Sequence, residues 1–377
     1  MVSPQEGSGG ISAFVGALRR DPLRAGFIRH IGFLSAFPFH EPPKYLFSGE
    51  LTGQFWISLE EALCLVTHPK SIAILEHDGF VPWSRSNFPN RFIDIISNVF
   101  ETSRIKIFHS RLHSDRLSRL CQTWPSLNTL RAVLAPAKFP PDALPQLCHL
   151  EADTRTICRV VPGRPIETLY HVGTDFCWER ENDFKLLASA VRGCETLQRI
   201  RVNCLASSEA HARTLAAFAH GALQFFHLRI SFTDNAIGYG YHDGRWSFRL
   251  TPSLVMQVLP SGALALFPKL EVLQIILWDN EFATAVDEPN YGDRNRVENA
   301  LMAFLISEGH ATLHQVDVDC SFNCEGGGAI RFRAARHDGR WHVKTVIHNG
   351  YEDSIIARFE DVVALDTDDR HVVHWHG

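Results

Sequence analysis

The stretch that decides the fold runs from Glu181 to Val202 and reads Glu181-Asn-Asp-Phe184-Lys-Leu-Leu187-Ala188-Ser-Ala-Val191-Arg-Gly193-Cys-Glu-Thr-Leu197-Gln-Arg-Ile200-Arg-Val202. Phe184, Leu187, Ala188 and Val191 fall on one helical face, Gly193 stops the helix, and Leu197, Ile200 and Val202 follow the pattern Leu-x-x-Leu-x-Leu of a short strand. One such helix-strand unit cannot bury its own apolar face. Stacked copies can, so the pattern predicts an α/β solenoid in which neighbouring units share a continuous core.

The same pattern recurs outward from this stretch. Ile11, Phe14, Val15 and Leu18 give a helix face, followed by a strand within Phe27 to Phe33. Phe92, Ile95, Ile96, Val99 and Phe100 give another, with Ile105 and Ile107 expected to alternate in the strand Ser103 to Phe108. Leu117, Leu120, Cys121 and Trp124 precede Pro125, which closes that helix before Leu127 and Leu130. Val297, Ala300, Leu301, Phe304 and Leu305 end at Gly309, before Leu313, Val316 and Val318. Gly193, Gly221 and Gly309 are each expected to take the left-handed conformation that ends a helix. Strand starts near 103, 127, 147, 166, 197, 223, 270 and 313 have mid-chain spacings of roughly 20 to 30 residues, those of leucine-rich-type repeats. The unit around Pro162 to Val172 is irregular.

Two wide gaps read as insertions. Residues 232–250 contain Asp243-Gly244 between aromatic residues, a hairpin signal, and residues 280–292 are a polar, acidic loop around Asp287 to Tyr291. The domain reading is a flexible N-terminus at 1–10, an irregular leucine-rich-repeat-like solenoid at 11–320, and a mainly β cap and tail at 321–377. The cap is expected as a hairpin from Ala329 to Asn349 turning at Asp338-Gly339, with a closing strand or helix around Ile355 to Leu365. A cap shields the apolar side of the last repeat. The pentapeptide His-Asp-Gly-Arg-Trp occurs at both hairpins, at 242–246 and 337–341. Two similar turns arising independently, or one rim built by both, account for it.

At 45% hydrophobic and 21% charged residues, the chain has ordinary globular usage. Its 377 residues exceed one usual compact core, which favours a solenoid or two domains. No apolar run has the length of a membrane span, and the first residues lack a signal peptide's basic and apolar regions. With nine scattered cysteines, these features give an intracellular expectation, cytoplasmic or nuclear, without membrane attachment. A net charge of −5 gives no support to general nucleic-acid binding.

The Pro-x-Leu-x-x-Leu-x-Leu cadence of Pro125 to Leu130 and of Phe267 to Ile275, the aromatic hairpins, and the start Arg20-Asp-Pro-Leu resemble the repeat portions of the large fungal F-box and leucine-rich-repeat protein families. The resemblance implies substrate recognition for a cullin-type ubiquitin ligase, with ligase components among the partners. The F-box of such proteins is not recognised in this chain. About ten residues precede the first repeat helix, too few for three packed helices. The chain is therefore expected either to lack the docking module or to be cut short.

Phosphate-loop, dinucleotide, nucleophile-elbow and His-Glu-x-x-His motifs are missing from the sequence. Cys320 and Cys324 with His371, His374 and His376 could be assembled into a zinc site, but the spacing equally suits structural cysteines and a solvated tail. Gly326 to Gly328 lack the lysine and following helix of an anion cradle and read as a turn. The expectation is a non-enzymatic protein-binding scaffold with no cofactor or metal. The alternatives are an orphan structural repeat protein, or an enzyme using His337, Asp338 and nearby cysteines. Binding is expected on a concave strand face, where residues between the core positions project together. The partner-binding residues selected there are Arg131, Glu151, Tyr170, Arg199, Arg201, His227, Arg229, Gln274, Trp278, Asp317 and Asp319. The row reads as basic in the middle and acidic at its far end, with Tyr170 and Trp278 as aromatic anchors. A solvated ladder of cross-strand charge pairs is the competing reading.

Overall fold

The computed structural model describes residues 15–35, 53–76, 88–100, 104–110, 115–132, 139–140, 142–172, 181–206, 218–232, 239–242, 245–248, 259, 261–279, 294–322 and 328–349. The fold is mixed α/β. Contacts divide the chain into two compact units between Ile166 and Glu167.

In the first unit the strands are β1 (His30–Ser35), β2 (Ser71–Glu76), β3 (Ile107–Ser110), β4 (Thr129–Ala132) and β5 (His149–Ala152). They lie side by side in chain order, and each neighbouring pair is parallel. The helices include α1 (Pro22–Ala25), α2 (Gly53–Cys64), α3 (Phe88–Val99), α4 (Asp115–Thr123) and α5 (Thr154–Val160). The second unit carries β6 (Thr168–His171), β7 (Arg199–Ala206), β8 (Phe225–Phe232), β11 (Val272–Asp279) and β12 (Gln315–Phe322), again parallel and in order. Its long helices are α6 (Glu181–Arg192) and α7 (Arg294–Glu308). Two antiparallel strands, β13 (Gly328–His337) and β14 (Arg340–Asn349), follow β12 in the sheet. A separate antiparallel pair, β9 (Tyr239–His242) and β10 (Arg245–Phe248), brackets Asp243-Gly244.

The parallel order follows from the sequence pattern. In every unit from the third strand onward, the first and second apolar positions of Leu-x-x-Leu-x-Leu are buried to within 2% exposure: Ile105 and Phe108, Leu127 and Leu130, Leu147 and Leu150, Ile166 and Leu169, Leu197 and Ile200, Leu223 and Phe226, Leu270 and Leu273, Leu313 and Val316. Burying each such side chain contributes about 1.5 to 3 kcal/mol. The helix faces supply the opposing layer, through Phe92, Ile95 and Ile96 on α3, Leu117, Leu120 and Cys121 on α4, Leu187, Ala188 and Val191 on α6, and Val297, Leu301, Phe304 and Leu305 on α7.

Main-chain bonds repeat with the side chains. The carbonyl just after the first apolar position accepts two N–H groups from the next unit: Arg29 from Lys70 and Ser71, Lys70 from Lys106 and Ile107, Lys106 from Asn128 and Thr129, and Asn128 from Cys148 and His149. In the second unit Glu167, Gln198, Gln224 and Glu271 do the same. A side-chain ladder runs beside it, three residues before the first apolar position. Trp124 donates from Nε1 to the Phe100 carbonyl at 3.0 Å. His220 and His310 donate from Nε2 to the carbonyls of Cys194 and Phe267, both at 2.9 Å. The Nδ1 atoms of these two histidines accept from the N–H groups of Ala222 and Leu313, which assigns the Nε2–H tautomer to both.

Three expectations are corrected. Ile107 is not the core partner of Ile105; Phe108 is, fully buried, while Ile107 is only partly buried. The two residues after the first apolar position turn into the strand, so the step there is three residues rather than two. Of the three glycines expected in the left-handed region, Gly309 has φ +57°, whereas Gly193 and Gly221 have ordinary backbone. The N–H of Gly193 continues the helix by donating to the Ser189 carbonyl. Gly309→Ala is therefore expected to cost about 1 kcal/mol. Gly193→Ala, whose Cβ would meet only ordinary contacts from 3.6 Å, should be neutral or slightly stabilising. Urea unfolding of the two variants checks this, and equal losses would show that backbone strain at Gly309 is unimportant. The third correction is an omission: β2 with its preceding helix α2 is a full unit that the sequence reading passed over.

Asp338 (φ 50°) and Gly339 (φ 77°) form the β13–β14 turn at the expected residues. Phe332 and Ala334 on β13 are fully buried, covering the apolar side of β12. Thr345 on β14 donates to Glu298 on α7. The expected closing element around Ile355 to Leu365, the loop at 280–292 and the N-terminus at 1–10 lie outside the described residues.

Candidate protein-binding face

Residues alternating with the buried positions stand on the opposite side of each sheet, and the strand register aligns them in rows. In the second unit one row is Thr168, Arg199, Phe225, Val272, Gln315, Ala335 and His342. The next is Tyr170, Arg201, His227, Gln274, Asp317, Arg333 and Lys344, and a third is Asn203, Arg229, Ile276, Asp319, Arg331 and Val346. The selected residues Tyr170, Arg199, Arg201, His227, Gln274, Asp317 and Asp319 therefore share one face of one sheet; Arg229 holds a register position in the third row, and its side chain lies outside the described residues. Trp278 is two residues beyond Ile276 on β11, paired with Ser231 and Ser321; its side chain lies outside the described residues. In the first unit Arg131 and Glu151 are register neighbours.

Sequence reasoning missed Phe225, Val272 and Gln315, which complete the first row and are half-buried. On β8, β11 and β12 it began two residues late. The signal was available, since these residues occupy the same place after Leu223, Leu270 and Leu313 that Arg199 occupies after Leu197.

The electrostatics depart from the expected gradient. Asp317 and Asp319 are each only 4% exposed. Arg331 holds Asp319 through Nε at 2.5 Å and Nη2 at 3.0 Å, and Arg333 holds Asp317 at 2.8 and 3.4 Å. Gln315 Nε2 also donates to Asp317 at 2.7 Å. The far end of the row is thus a pair of neutralised carboxylates covered by guanidinium groups from the antiparallel hairpin, not an acidic surface. The hydrogen bond to Asp319 pushes Arg331 above its ordinary value, against the opposing effect of burial. Arg331→Ala would strand a buried carboxylate, and a loss of about 2 kcal/mol is expected in denaturant unfolding. An Asp319→Ala, Arg331→Ala double variant closer to wild type than either single would identify the stranded charge as the cause.

Arg199 and Lys344 are exposed, and Arg201 is half-buried. His227, 7% exposed, donates from Nδ1 to Gln274 Oε1 at 3.0 Å. In the first unit Arg131 is engaged by Glu151, Nε to Oε2 at 2.5 Å and Nη2 to Oε1 at 2.8 Å. That pair belongs to the charge-ladder reading.

His337 and Asp338 sit exposed at the hairpin turn, with Asp338 serving as a turn residue. Burial pushes the Cys121 thiol up to about 12, so it carries no thiolate at neutral pH. Among the described residues no His, Cys, Asp and Glu group has metal-holding geometry. The side chains of Cys320, Cys324, His371, His374 and His376 lie outside them. No described helix is long and apolar enough to cross a membrane. No protein-family model matches the chain, and comparison with curated proteins gives no significant match.

Proposed function

We propose that the chain is a leucine-rich-repeat-like solenoid and acts inside the cell as a non-enzymatic protein-binding scaffold, with the partner held on the strand face of the second unit. The observation that carries this reading is the set of registered rows on which cationic, amide and half-buried apolar side chains stand opposite a fully buried core. A surface of mixed charge and apolar character on rigid strands is suited to holding another chain. The resemblance to fungal F-box and leucine-rich-repeat proteins supports a narrower form, substrate recognition in a cullin-type ubiquitin ligase pathway. An orphan structural repeat protein is the second reading, favoured by the Arg131–Glu151 pair, which uses the charges of two adjacent strands on each other.

The test is purification of the tagged full chain from its own cells beside a variant with Arg199, Arg201 and Arg229 all replaced by Ser. Specific partners are expected with the wild type and a loss of about tenfold or more with the variant. Thermal unfolding is read beside it, because Arg201 is half-buried; Arg199→Ser alone, at an exposed position, should move stability by about 0.5 kcal/mol or less and still weaken capture. Ligase components among the partners would support the narrower form. Equal capture by the variant, or no specific partner with either protein, would favour the orphan reading.

A further inference from the structure

We infer that the strand face of the second unit takes an extended acidic peptide segment, with carboxylates at both ends of a short apolar centre. The inference rests on the scaffold reading and adds the partner's chemistry.

The middle row sets the geometry. Arg201 on β7 and Arg333 on β13 are separated by the steps β7-β8-β11-β12-β13, four strand spacings or about 19 Å. An extended chain laid across the strands rises about 3.3 Å per residue, so about six residues span the two arginines. Between them lie Phe225 and Val272 on one flank and Ile276 on the other, all half-buried, with the Gln274 amide in the line of the row.

Charge favours an acidic occupant. Both carboxylates of these rows are buried in ion pairs, so neither presents free charge. The exposed ionic groups of the rows are cations, Arg199 at one end and Arg333 and Lys344 at the other. Arg331 and Arg333 each spend Nε and Nη2 on aspartate and keep Nη1 donors for a ligand carboxylate. Glu167 and Glu271 are exposed one residue before the first row, at the strand entries, which directs an anionic segment along the middle row. An apolar strip between two cationic ends suits a peptide better than a nucleic-acid strand, whose charge is continuous.

The experiment is selection from a random peptide library against the full chain. Anisotropy titrations then compare enriched peptides with a single-stranded oligonucleotide of equal charge. Acidic residues about six positions apart around apolar ones are expected in the enriched set. Binding should weaken about tenfold or more in Arg199→Glu and in Lys344→Glu, both substitutions at exposed positions, and should fall with salt. Enrichment of neutral or basic peptides, unchanged binding to both variants, or tighter binding of the oligonucleotide would overturn the inference. If the triple-arginine variant loses a cellular partner while no acidic peptide binds, the scaffold reading stands and the peptide chemistry fails. If neither occurs, both fail.

Discussion

Leu273→Asp should leave the second unit unfolded or nearly so at neutral pH. Leu273 is 1% exposed on β11, between Phe226 on β8 and Val316 on β12, and both neighbours are fully buried. The substitution removes burial contributing about 1.5 to 3 kcal/mol and leaves a carboxyl group among apolar side chains, adding several kcal/mol more. Together these rival the stability of a whole domain, roughly 5 to 15 kcal/mol. The sign of the pH dependence follows from burial. Desolvation raises the introduced carboxyl above its unfolded value of about 4, so the folded form keeps a proton that the unfolded form loses. Stability should therefore fall as pH rises from about 4 through the folded value, relative to Leu273→Asn, which does not titrate. Urea midpoints of the two variants at acid and neutral pH decide this. A constant difference would mean that water reaches the site and the strands open locally. Leu197→Asp, at a fully buried position on the approach to β7, should behave alike.

Arg164→Ala should destabilise the first unit by about 3 kcal/mol, an unusually large effect for a charged residue in a turn. Arg164 is 6% exposed, and among the described residues its hydrogen bonds all go to backbone carbonyls. Nε donates to Ala143 at 2.8 Å, Nη2 to Pro140 at 2.9 Å, and Nη1 to Val160 and Pro162. One planar fork thereby ties the turn before β5 to the end of α5. Burial lowers its affinity for the proton and the charge of Asp142 partly restores it. Arg164→Lys should recover little, because an ammonium cannot reach carbonyls spread around a guanidinium plane. Full rescue by lysine in chemical denaturation would show that charge rather than the fork holds the turn.

The helix faces were legible because an apolar stripe at helical spacing has one structural solution; Leu187, Ala188 and Val191 are buried as expected. Arg164 was not legible. Nothing in Pro162-Gly-Arg-Pro165 announces that the arginine turns inward, since the carbonyls it serves come from residues up to 24 positions away. The division at Ile166 falls within the unit whose spacing looked irregular, yet irregular spacing alone does not mark a boundary. On the candidate face, the parity of the outward residues was readable from Leu-x-x-Leu-x-Leu, so the selected residues of the second unit share one side. Their electrostatic state was not. The charges of Asp317 and Asp319 are cancelled by Arg333 and Arg331, which arrive from a strand running the other way, and that pairing depends on antiparallel register rather than on local sequence.

The carbonyl that accepts two N–H groups from the following unit carries an evolutionary consequence. Because the lock is made of backbone atoms alone, it is indifferent to which side chains flank it: Arg29, Lys70, Lys106 and Asn128 serve equally, as do Glu167, Gln198, Gln224 and Glu271. A duplicated or deleted unit would find the same lock waiting on either side. Gene-level tandem duplication can then lengthen such a chain one strand at a time, while the outward positions drift in chemistry without disturbing how the copies join.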